Sequence, residues 1–266
     1  MLVLSQFVLR LSFGLALAMG LTSPRKVTSG FFRNHSYVLL GLNVVATLAA
    51  LAPSDGRQWL VPLTAAVLSY LAAAAWLYER PAVGRGLLWL VAGVSIAAAW
   101  LAQSHTGAVT SVGSHSTIES VPADAESLMP ILRAIDPIAS GFMLGTTITA
   151  MFLGHWYLNT PTMELAPLRR LLGLMALAIT ARAVTSGLGL VLQTHIADLS
   201  TAQWLMIALR WLAGIIGTGI LTWMAWQTLK IPNTQSATGI LYVAVITVFI
   251  GELTSLLLSG GASFPV

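Results

Sequence analysis

Residues 170–193 read RLLGLMALAITARAVTSGLGLVLQ. After Arg170 the run carries a single charge, Arg182, in its middle. A helix that crosses a bilayer needs about 20 mostly apolar residues, and this stretch supplies them. Its apolar residues are continuous rather than alternating, which excludes a membrane β-strand. The segment therefore predicts a transmembrane helix that buries a guanidinium.

Working outward, seven more segments have the same character. Together the eight predicted spans cover 2–22, 37–53, 58–78, 84–102, 137–158, 170–193, 203–228 and 238–259. The fold class is an all-α integral membrane protein. The composition agrees: 56% of the 266 residues are hydrophobic and 8% are charged, where water-soluble domains carry about 25% charged residues. Mean hydropathy is +0.82. The first segment lacks a basic stretch before its apolar run and is followed by Arg25 and Lys26, so it reads as a retained first helix.

The chain divides into spans one to four (1–102), a polar connection (103–135) with a short helix near 125–134, and spans five to eight (136–266). Gln58-Trp59-Leu60 opens span three and Gln203-Trp204-Leu205 opens span seven. Gly86-Leu87-Leu88-Trp89 in span four parallels Gly239-Ile240-Leu241-Tyr242 in span eight. These pairs suggest two four-helix halves in parallel repeat. One set of connections holds Arg25, Lys26, Arg33, Arg80, Arg85, Arg169, Arg170 and Lys230; the other holds Arg57 and Arg133. The basic set is expected on the cytoplasmic side, with both termini outside, in a bacterial-type inner membrane. Asp136-Pro137 reads as a helix N-cap followed by proline at the first helical position.

The chain has no cysteine. This removes disulfides, thiolate metal sites and cysteine nucleophiles. Its high pI reflects a few arginines in loops, with no basic stripe of interleaved aromatics, so nucleic acid is not an expected partner. Walker, G-x-S-x-G, HExxH and EF-hand motifs are absent from the sequence, and no metal site is expected from paired acids.

Arg182, Arg210 and Glu252 lie within predicted spans. A charge at mid-bilayer costs at least about 2.5–3.5 kcal/mol and calls for a partner or a task. Counted at about 1.5 Å per residue, Arg182 lies about 18 Å and Glu252 about 21 Å from the basic edge, and Arg210 about 10 Å from the opposite one. Arg10 in span one falls at a similar depth. These four residues therefore share one level and form the candidate ligand or proton-transfer site. With one acid against several arginines, the level should attract an anion or an electron-rich oxygen, because the guanidinium fork binds oxygens in pairs.

His35, opening span two, and His155, closing span five, are candidate ligands of a b-type haem or neighbours of a quinone headgroup. His105, His115 and His195 form an outer set that could hold a metal or a second haem. Three functions follow: a quinone- or haem-associated electron/proton-transfer subunit working with other membrane subunits, a carrier or channel for a small anion or lipid, and a structural subunit whose charges only join helices. Small residues in spans six and seven suggest that these two pack closely beside the charges.

Overall fold

The computed structural model describes residues 2–51, 57–113, 123–160, 163–194, 199–231 and 233–259. These residues form helices and the turns between them, without a strand. The elements are α1 (Leu2–Leu21), α2 (Ser29–Leu51), a 3-10 turn at Arg57–Trp59, α3 (Leu60–Leu77), α4 (Pro81–Gly113), α5 (Ala123–Asn159), α6 (Ala166–Thr194), α7 (Thr201–Leu209), a π-helical segment (Arg210–Gly217), α8 (Thr218–Thr228) and α9 (Thr234–Ser259). α7, the π segment and α8 are one continuous span, Thr201–Thr228. Eight helices are then long and apolar enough to cross a bilayer, the make-up of a multi-pass membrane protein.

The ends of these helices follow from local chemistry. α4 opens on Pro81, where a missing N–H costs nothing. α3 closes through Glu79 in the left-handed region at φ 53, with Arg80 N–H donating to Ala75 O at 2.9 Å. This is the bond pattern of a helix stop usually built on glycine. Ser200 and Gln203 cap each other reciprocally at the start of α7, so the Gln203-Trp204-Leu205 opening is a capping box. Asn233 Oδ1 accepts from Ser236 N–H at 3.0 Å at the start of α9.

The structure departs from the sequence expectations around the 103–135 connection. Asp136 is not a cap: α5 runs unbroken from Ala123 to Asn159, through Pro130 and Pro137, and its apolar span begins at Leu128. The short helix expected near 125–134 is the first part of that same helix. α4 likewise continues to Gly113, so much of the connection expected over 103–135 is helical.

α1 and α5 form the centre of the molecule. Each is 83% buried over its most apolar stretch, against 33–44% for the other six spans. Their backbones touch: a Cβ added to Gly14 would lie 1.6 Å from Gly141 O, and one added to Gly145 would lie 1.8 Å from the Gly14 carbonyl carbon. Glycine is required at this crossing because nothing larger fits, the small-residue route to close packing in lipid. Around this pair, α1 neighbours α2 and α4, and α3 joins α2 to α4. In the second half α5 neighbours α6 and α9, and α8 joins α6 to α9. Both halves therefore show the neighbour order that a parallel four-plus-four arrangement requires.

The turns at one end are tied together. Lys26 Nζ pairs with Glu164 at 2.8 Å, Arg85 Nε donates to Gly20 O at 3.0 Å, and Arg169 Nη2 donates to Leu229 O at 2.9 Å. The basic connections thus gather at a single face of the bundle.

Candidate functional site

Polar residues on α1, α5, α6 and α9 recur at spacings of three or four, which places them on one face of each helix. The pairs are Gln6 and Arg10, Asp136 and Ser140, Arg182 and Ser186, and Glu252 and Ser255. All eight residues are buried, and they converge between the two halves.

Arg182 is the hub and is fully buried. Its Nε donates to Glu252 Oε1 at 2.8 Å and its Nη2 to Glu252 Oε2 at 2.9 Å. This is the bidentate fork that gives Arg–carboxylate pairs their strength. Nη2 also donates to Ser255 Oγ at 3.0 Å, and Nη1 to Asp136 Oδ1 at 2.5 Å. The other oxygen of Asp136, Oδ2, is 2.7 Å from Arg10 Nη1. That contact is an ion pair by distance, although the Nη1 N–H groups are not aligned for a hydrogen bond. Arg10 Nε reaches Gln6 Oε1 at 3.4 Å, and Gln6 Nε2 donates to Ala99 O on α4 at 2.9 Å. Ser140 Oγ donates to Glu252 Oε2 at 2.5 Å. A polar chain therefore runs from α4 through α1, α5 and α6 to α9.

Arg210 stands apart within this cluster. It opens the π-helical segment and is 1% exposed. Its Nη2 donates to Ser186 Oγ, one turn along α6 from Arg182. Its Nε and Nη1 meet no acceptor. Among the described residues, three buried guanidiniums (Arg10, Arg182, Arg210) face two carboxylates (Asp136, Glu252), and no carboxylate lies within ion-pair distance of Arg210. One positive charge is left over, and it resides on Arg210. The π winding, of a kind often found at functional positions, is braced by α9: a Cβ on Gly214 would lie 2.7 Å from Gly251 Cα.

All four charged residues picked from the sequence thus meet in one cluster. Asp136 was missed, because Asp-Pro at the edge of an apolar run has the form of a cap. The signal that identifies it is Ser140 four residues on, the kind of polar-pair spacing that accompanies Arg10, Arg182 and Glu252 but not Arg210. The expected excess of positive charge is also smaller than sequence counting gives, since Asp136 compensates Arg10. Close backbone approach beside the charges occurs between span seven and α9, through Gly214 and Gly251, rather than between spans six and seven. Gly187 on α6 leaves room instead for the Trp211 ring, 3.6 Å from its Cβ position.

The histidines are placed differently. His35 is buried, with Nδ1 2.6 Å from Phe31 O. Its ring lies 4.3 Å from the rings of both Phe31 and Phe152. It serves as a packed, backbone-bonded aromatic at the α2–α5 contact. His155 is exposed and points to α9, with Nδ1 3.3 Å from Tyr242 Oη. The two imidazoles face different neighbours. His115, His195 and the side chain of His105 lie outside the described residues. No cluster of three or more potential metal ligands occurs among the described residues.

Comparison of the chain with protein-family models, with curated proteins and with solved structures finds no match.

Proposed function

We propose that this chain is a multi-pass subunit of a bacterial inner-membrane complex that couples proton movement to a quinone-class ligand held at Arg210. The observation that carries the reading is the half-satisfied guanidinium of Arg210. A buried cation with two free N–H edges is costly in an apolar medium, and an electron-rich oxygen is the group that lowers that cost. A quinone carbonyl meets the need, because it accepts hydrogen bonds, reaches the site from the bilayer and takes up protons on reduction. Asp136 and Glu252, linked through Arg182 and flanked by Ser140 and Ser255, supply carboxylates through which such protons could pass.

The reading takes a quinone over a haem because the Nδ1 of His35 is already engaged by Phe31 O and that of His155 by Tyr242 Oη. The remaining charge on Arg210 supports a second reading, a carrier for a small anion. On either reading the basic face is cytoplasmic and both termini are outside. The described residues form helices and short turns, and partner subunits belong to the proposal.

The test is an optical spectrum and an organic extract of the purified protein. The quinone reading expects bound quinone retained through purification and no Soret band. A Soret band would transfer the assignment to haem. Stabilisation by small anions without any extractable quinone would transfer it to anion transport.

A further inference from the structure

A cavity of about 240 Å³ opens at the basic face, between the end of α1 and the start of α6. That is the liquid volume of roughly eight waters, too large for one ordered water. Its lining is mixed, with Lys26, Arg170 and Ser23 beside Leu21, Leu171 and Leu174. On α6 the lining residues recur on one side of the helix, Ala166 and Pro167 first, then Arg170, with the two leucines following the charge toward the middle of the span. The cavity is therefore cationic where lipid headgroups lie and apolar where acyl chains begin. Arg170 has no ion pair among the described residues. Lys26 is tied to Glu164, but both side chains are exposed, 46% and 65%. Exposed pairs of this kind hold weakly, so an incoming anion can displace Glu164.

We infer that this cavity binds the phosphodiester headgroup of an anionic phospholipid, held by Lys26 and Arg170, with an acyl chain against Leu171 and Leu174. Basic pockets between membrane helices on the cytoplasmic side recur as such sites. The apolar inner wall selects a lipid over free phosphate. The site joins α1 of the first half to α6 of the second, so its occupant would tie the two halves together independently of the Arg210 site.

Native mass spectrometry and thermal unfolding in detergent test this, with phosphatidylglycerol, phosphatidylcholine and inorganic phosphate added separately. Phosphatidylglycerol should bind and raise Tm, and the other two should not. In K26Q/R170Q the affinity for phosphatidylglycerol should fall about thirtyfold, with Tm in lipid-free detergent unchanged. Equal binding of phosphatidylcholine, full stabilisation by inorganic phosphate, or undiminished binding in the double variant would overturn the inference. Should the double variant not fold, Ser23→Trp fills the mouth and keeps both charges. It should abolish phosphatidylglycerol binding, and retained binding there would also overturn the site.

Discussion

Asp136 is the residue on which the buried charges balance. Its two oxygens serve Arg182 and Arg10 on different helices, one in each half of the chain. Asp136→Ala leaves two buried guanidiniums undercompensated. Breaking a buried pair in this way costs about 3–5 kcal/mol, and a corresponding loss of folded protein is expected in a detergent thermal-stability assay. Glu252→Gln is milder for folding, because Arg182 keeps Asp136 and Ser255 as acceptors. It should keep most of the stability and lose proton-coupled activity in proteoliposomes; a variant with full activity would remove Glu252 from the proton path. Arg10, Arg182, Arg210 and Glu252 were legible because a charge in an apolar run stands out. Asp136 was not, because proline follows it at the boundary of such a run, where capping is the commoner use. Only the partner helices reveal that the boundary lies further back.

At the scale of elements, glycines separate crossings from exposed faces. Gly14, Gly141 and Gly145 let α1 and α5 touch, and Gly214 and Gly251 do the same for the π segment and α9. Gly14→Val must push backbone against backbone and should destabilise by at least the 1–3 kcal/mol typical of overpacking. Gly173 on α6 has nothing within 4 Å of its Cβ position. Gly173→Ala should therefore be neutral or stabilise by up to about 1 kcal/mol through helix propensity. Parallel thermal melts of the two variants check both. The spans themselves were legible from apolar length alone. The π winding at Arg210–Gly217 was not, because proline-free sequence gives no local mark of it. Within it, Gly214 meets Gly251 on another helix.

On the scale of the whole molecule, the two halves share a plan and differ in their centres. In the first half, Ser12 Oγ lies 3.2 Å from Ser95 Oγ, Ser95 Oγ donates to Asn43 Oδ1 at 3.4 Å, and Asn43 Nδ2 donates to Ser69 Oγ at 3.3 Å. Those four residues, one from each helix, are fully buried and neutral. The second half is centred on charges instead, with Arg10 lent across by α1. The Gln-Trp-Leu and Gly-x-Leu echoes in the sequence are too short to establish a repeat. Orientation is separately testable, because the chain has no cysteine of its own. Ile231→Cys, at an exposed turn on the basic face, should react with a membrane-impermeant maleimide only in inverted vesicles. Thr201→Cys should react only in right-side-out ones, and the opposite pattern would reverse the assigned topology.

We propose that Arg210 is kept for a ligand rather than for the fold. The most direct test is quinone content and thermal stability measured together on wild type and Arg210→Gln, purified identically. Bound quinone is expected in wild type and its loss in the variant. The ligand-free variant should be at least as stable as wild type, gaining up to about 2.5 kcal/mol as an uncompensated buried charge is removed. Unchanged quinone content, or a destabilised variant from a protein that never held quinone, would contradict it.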